Sequence, residues 1–230
     1  MRPTRIRDFS MKKIFYFVAL VAISLMFLQC EQNELGQNHE YVDLGLSVKW
    51  ATCNVGANSP EKYGDYFAWG EVESKDVYRW STYKHGTDYD ELTKYCTQSS
   101  DGKDGFTDNK TILDPEDDAA IVNWGGAWRM PTEEEFDELE NNCTWTWITQ
   151  NDVSGYKVTA PNGNSIFLPA AGYIDEDGLL CKEEWSGYYW SSSLDTIHPA
   201  QAHLGSFGWD YVSKGLLARD QGYSVRPVCP

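Results

Sequence analysis

The sequence predicts an α+β fold on three observations. Short β-prone runs punctuated by glycine fill the beginning and end of the chain, and two helix-start signatures lie close together in the middle. An Asn-Gly pair also stands between two alternating runs, the strongest short hairpin signal.

In chain order, the first thirty residues differ from the rest. Lys12 and Lys13 precede the uncharged, largely apolar stretch 14–28, and Cys30 follows. A basic start and a short apolar run make an export signal, too short for a comfortable transmembrane helix. Met11 opens that signal more naturally than Met1. The closing cysteine suggests a bacterial lipoprotein signal, in which Cys30 is acylated and becomes the first mature residue. Phe27, Leu28 and Gln29 stand where such signals carry small residues, so an ordinary secretory signal and an uncleaved anchor remain as alternatives. Residues 31–40 are polar and read as a tether.

From Tyr41 one domain is expected, to residue 230. Strands are expected within 41–50 and at 66–69, and residues 73–109 read as loop. Asp114-Pro115 reads as the cap and first position of a helix carrying Ala119, Ile121 and Val122, stopped by Gly125-Gly126. Thr132-Glu133-Glu134-Glu135 reads as a capping box opening a second helix with Phe136, Leu139 and Cys143 on one face. Residues 156–159 and 165–168 form the hairpin around Asn162-Gly163. Further strands are expected at 188–191, 202–207 and 223–228. Trp145 and Trp147, one residue apart, share a face if they lie on a strand.

The chain carries a formal net charge of −16, and removal of residues 1–29 leaves −20. So acidic a domain lacks the Lys and Arg that neutralise phosphates, which argues against nucleic-acid binding and against adsorption to an anionic lipid surface without an anchor. Five cysteines remain beyond Cys30: Cys53, Cys96, Cys143, Cys181 and Cys229. An odd count with no C-x-x-C spacing favours one structural disulfide plus buried free thiols over a zinc site.

Several ordered segments carry a family resemblance. They are Gly45-Leu46-Ser47-Val48-Lys49-Trp50-Ala51-Thr52-Cys53-Asn54-Val55-Gly56-Ala57, Trp124-Gly125-Gly126-Ala127-Trp128-Arg129-Met130-Pro131-Thr132, Asn164-Ser165-Ile166-Phe167-Leu168-Pro169-Ala170-Ala171-Gly172, Tyr189-Trp190-Ser191-Ser192-Ser193 and Gly222-Tyr223-Ser224-Val225-Arg226-Pro227-Val228. Together they resemble the Fibrobacter succinogenes major paralogous domain, common in lipoproteins of Gram-negative gut bacteria, over residues 41–229. That family is similar to the C-type-lectin-like fold of formylglycine-generating enzymes and retroelement-diversified proteins. The resemblance implies two short helices flanking small twisted antiparallel sheets, with the first and last strands meeting and Cys53 near Cys229; Cys143 is a competing partner. It also implies a binding face just before the last strand, where Trp209, Asp210, Tyr211, Lys214, Arg219, Asp220 and Gln221 stand. Leu216, Leu217 and Ala218 do not fit a diversified cassette, so only the location is carried over.

None of His39, His85, His198 and His203 sits in a triad or metal motif, and catalysis is not expected. Asp175, Asp177, Gly178 and Glu184 match part of a calcium loop, but its first ligand position holds Tyr173, so solvated acidic turns are the expectation, as for residues 101–109, with no metal and no cofactor. Ten Trp and fourteen Tyr are many for one small core. Trp50, Trp69, Trp124, Trp128 and Trp190 are expected to be core or groove-lining, with two or three of the aromatics exposed to stack on sugars or anchor a protein. The resulting expectation is a non-catalytic, surface-displayed binding module for a glycan or protein, anchored through Cys30 to the outer membrane. Glu31 and Glu34 hint at surface export. The alternative is a structural component of an envelope complex with no free ligand.

Overall fold

The computed structural model describes residues 39–230; the expected signal segment 1–30 with Cys30, and residues 31–38 of the expected tether, lie outside the described residues. Among the described residues the fold is mostly β, with two α-helices and thirteen strands. No described helix is long and apolar enough to cross a membrane.

The domain opens with β1 (Tyr41–Val42), β2 (Lys49–Ala51) and β3 (Tyr66–Phe67). The last two tether residues already belong to it: His39 stacks on Trp124 at 3.6 Å, and the Glu40 carbonyl accepts from Thr52 N. After β3 the chain runs irregularly, with short 3-10 turns, to α1 (Ala119–Trp124) and α2 (Glu133–Asn142). The expected cap of the first helix is displaced. Pro115–Asp117 form a 3-10 turn and Asp114 caps nothing; Asp118 accepts from Ala120 N and Ile121 N, and also ties down Met130 N at 2.9 Å. Asp117 is drawn inward instead, to Lys84, Lys94 and the Tyr95 hydroxyl. The second helix keeps its expected capping box between Thr132 and Glu135, with Cys143 just past its last turn.

Strands β4 (Thr144–Gln150), β5 (Val153–Thr159) and β6 (Ser165–Pro169) form one antiparallel sheet, with Gly163 at positive φ in the expected hairpin loop. Trp145 and Trp147 share a face and pack on Tyr156 and Phe207. A small hairpin follows, β7 (Tyr173–Ile174) and β8 (Leu180–Cys181), then β9 (Ser186–Leu194), β10 (Gln201–Gly208), β11 (Tyr211–Ala218), β12 (Tyr223–Ser224) and β13 (Val228–Cys229). The five-stranded sheet runs β11-β10-β9-β12-β3, antiparallel except where β12 lies parallel to β9, a departure from the all-antiparallel expectation. β13 pairs with β2, so the two ends of the domain meet.

The five-stranded sheet separates two apolar clusters, one around Trp69, Trp190, Leu204 and Tyr223, the other around Trp50, Phe136, Tyr189 and Phe207. Trp124 and Trp128 are buried as well. Two fully buried arginines, neither bonded to a carboxylate, staple the irregular segments to this frame. Arg219 donates to Tyr83 Oη and to the carbonyls of Tyr95, Pro199 and Lys94; Arg226 donates to Asn54 Oδ1 and to the carbonyls of Ala51, Thr52 and Phe167. Delocalised charge and a planar fork of donors suit arginine to this bridging of carbonyls. The expected disulfide is absent: all five described cysteines are free thiols. Two are engaged locally, Cys96 Sγ with Gln98 O and Cys181 Sγ with Asp175 Oδ2.

Candidate functional site

Strand register sets the geometry of one end of the five-stranded sheet. Gly208 pairs with both Ser186 and Tyr211, so Trp185 and the turn Trp209-Asp210 project just beyond the last rung. Trp185 is 68% exposed, Trp209 64% and Tyr211 44%, and neither indole packs on another described ring. Burying a ring of this size contributes about 1.5–3 kcal/mol, so two bare indoles at the same sheet end leave a sizeable free energy available to a partner.

The presentation of Trp185 is built into a tight turn. Trp185 N and Ser186 N both donate to Lys182 O, and Lys182 and Glu184 adopt positive φ of 58° and 66°. Non-glycine residues enter that region at a cost that the surroundings must offset. Glu184 supplies the anchor, accepting from the Tyr63 hydroxyl and from Ser154 N at 2.7 Å. These bonds hold its carboxyl below the usual range in spite of partial burial.

Behind the tip, tyrosines and serines line one sheet face. Tyr188 stacks on Tyr223 at 5.3 Å, and Tyr173 meets both edge-on. The Tyr211 ring lies over Gly208, Ser206 Oγ lies 3.3 Å from Ser213 Oγ, and Lys182 Nζ reaches the Tyr188 hydroxyl at 3.5 Å. Exposed indole faces beside hydroxyl and ammonium donors offer stacking together with hydrogen bonding.

The structure divides the sequence-expected patch. Trp209, Asp210 and Tyr211 are exposed at the tip, whereas Arg219, Asp220 and Gln221 follow the other end of β11, about 26 Å away along an eight-residue strand. Arg219 is fully buried and Asp220 is 3% exposed, so neither belongs to an open face; Gln221 is half-buried. The intervening residues form a regular strand rather than a loop, with Lys214 tied to Asp137 and Glu133 of α2. Trp185 escaped the sequence reading, and Glu184 entered it only as a calcium-loop position, not as the anchor of this turn. The available signal was an indole directly after Lys182-Glu183-Glu184, an unusual place for a core residue.

Among the described residues no other cluster assembles chemistry of comparable reach. The histidines lie apart: His39 on Trp124, His85 buried against Gly70 O, His198 with Asp195, and His203 with Glu133. Burial lowers His85 to about 4. The calcium-like loop does not converge, because Asp175 accepts from Asp177 N and Leu179 N while Glu184 turns away to Tyr63 and Ser154. Asp108, in the other acidic loop, is taken up by the amides of Tyr95, Cys96 and Lys110. Asp114, Glu116 and Asp117 come together, but Lys94 Nζ sits among them at 2.7, 3.4 and 2.6 Å. Although burial pushes the Asp117 carboxyl up, Lys84, Lys94, Tyr95 and His85 bring it down to about 2.

No family model matches the chain, and neither a curated protein nor a solved structure does.

Proposed function

We propose that this chain is a cell-envelope lipoprotein, anchored through Cys30, whose single domain is a non-catalytic binding module that takes a glycan on the aromatic tip. The observation that carries this reading is the placement of two exposed indoles, Trp185 and Trp209, next to the paired residues Ser186 and Gly208 at one sheet end. Apolar faces of sugar rings stack on such indoles, while ring hydroxyls find Lys182 and the Tyr211 hydroxyl. The fold is read as C-type-lectin-like and the family as the Fibrobacter succinogenes major paralogous domain. Support comes from the five ordered segments and from the meeting of first and last strands in the sheet β1-β2-β13. Residues 31–38 then serve as a spacer between anchor and domain.

Titration of the chain without its anchor, residues 31–230, with neutral oligosaccharides, followed by tryptophan fluorescence, tests the ligand class. Saturable quenching that disappears in Trp209→Ala supports the reading. Quenching that survives in Trp185→Ala/Trp209→Ala counts against it.

A further inference from the structure

The outer edge of the five-stranded sheet is open on β11. Its ladder with β10 runs without a shift through eight pairs, from Gln201↔Ala218 to Gly208↔Tyr211. Gly208 and Tyr211 close a two-residue turn and so form a hydrogen-bonded pair. Alternation then turns the backbone N–H and C=O of Val212, Lys214 and Leu216 outward. The next outward carbonyl, that of Ala218, accepts from Gln221 N; the three before it have no backbone partner among the described residues.

Natural sheets guard such an edge with a bulge, a proline or an outward lysine. β11 has neither bulge nor proline, and its one lysine does not stand guard. Lys214 Nζ is pulled back to Asp137 at 2.9 Å and Glu133 at 3.4 Å on α2. Next to the edge lies a crevice lined by Phe136, Glu140, Trp145, Val212 and Lys214. The charge around it is lopsided: Glu133 and Asp137 share the ammonium of Lys214, Glu133 also meets His203 Nδ1 at 3.2 Å, Glu140 has no ion-pair partner among the described residues, and Asp137 Oδ1 is buried without a hydrogen bond. The wider acidity of the chain disfavours a second copy in this place and favours a cation.

We infer that β11 accepts an extended, basic peptide segment as a sixth strand. The residues whose backbone groups face Val212, Lys214 and Leu216 project their side chains onto the α2 side of the sheet, where Lys or Arg meets Asp137 and Glu140. Main-chain bonds supply affinity and the acidic crevice supplies selectivity, the division of labour seen in strand addition generally.

The test uses the full-length chain in mild detergent and a labelled acetyl-(Lys-Val)3-amide probe, followed by fluorescence anisotropy and backbone amide shifts. The expected result is saturable binding, with shifts confined to residues 211–218 and α2. Methylating the backbone nitrogens of the probe lysines, which leaves the protein untouched, weakens binding at least tenfold, as does Asp137→Lys/Glu140→Lys. Equal binding of the methylated probe, shifts confined to the Trp185 and Trp209 tip, or equal binding of an acetyl-(Glu-Val)3-amide probe overturns the inference. A concentration-dependent dimer that Leu216→Pro dissolves also overturns it, by assigning the edge to a second copy.

Discussion

Replacing Arg219 with methionine keeps most of the side-chain volume and removes every donor. Four bonds disappear: to Tyr83 Oη at 3.0 Å, to the carbonyls of Tyr95 and Pro199 at 2.8 Å each, and to Lys94 O at 3.1 Å. The guanidinium also lies over the Trp69 and Tyr83 rings at 5.1 and 5.3 Å. Hydrogen bonds from a charged donor contribute about 1.5–3 kcal/mol each, but the variant also escapes the desolvation cost of a buried cation. What remains is dominated by three carbonyls left in a dry interior, and the net loss is about 4 kcal/mol. For a domain of this size that corresponds to a fall in Tm of about 8–16 °C. Urea unfolding of wild type, Arg219→Met and Lys214→Met measures it. The Lys214 variant loses only exposed ion pairs and is expected to shift by less than about 1 kcal/mol. If Arg219→Met costs under about 1 kcal/mol, the stapling account is wrong.

Further expectations concern the cap, a buried acid, the acidic loops and the presenting turn. Thr132→Ala breaks the capping box and lowers stability by about 1 kcal/mol, read from the urea midpoint, whereas Asp114→Ala, which removes no cap, changes little. Burial raises the Asp220 carboxyl from 3.8 to about 6, so the folded chain holds a proton that the unfolded chain has released. Stability from this group is full below about pH 4 and falls as pH rises through 6. Asp220→Asn is therefore expected to gain about 1–3 kcal/mol at pH 7.5 relative to its effect at pH 4, and an equal effect at both contradicts the assignment. Calcium added to excess leaves Tm unchanged, because Glu184 is already committed to Tyr63 and Ser154; a clear rise in Tm contradicts that. Glu184→Ala releases the turn that presents Trp185, and is expected to weaken glycan capture about as much as Trp185→Ala while lowering Tm modestly.

Local signals in the sequence located most of the elements. The capping box at Thr132, the Asn162-Gly163 hairpin and the shared face of Trp145 and Trp147 each depend on residues near one another in the chain, and each appears in the fold. The first helix shows where such signals fail. Asp114-Pro115 and Asp118 both satisfy local cap rules, and the choice falls to Asp118 because it also binds Met130 N, twelve residues on. The binding face was half legible. Trp209 lies in a two-residue turn and Tyr211 closes it, both exposed, while Arg219 and Asp220, equally polar on paper, are drawn inside. Tyr83, Tyr95 and Lys94, which receive Arg219, lie more than a hundred residues earlier in the chain, a distance no local pattern spans. β11 was hidden for a similar reason: Lys214 and Gly215 interrupt its apolar run, and only pairing with β10 makes it a strand.

The central claim is that Trp185 and Trp209 together take a glycan. The most direct measurement is a broad glycan array probed with the mature chain and with Trp185→Ala/Trp209→Ala at matched stability. Selective binding by the wild type, reduced at least tenfold in the double variant, is the predicted result. Binding that the double variant retains, or silence of the wild type across the array, contradicts the account.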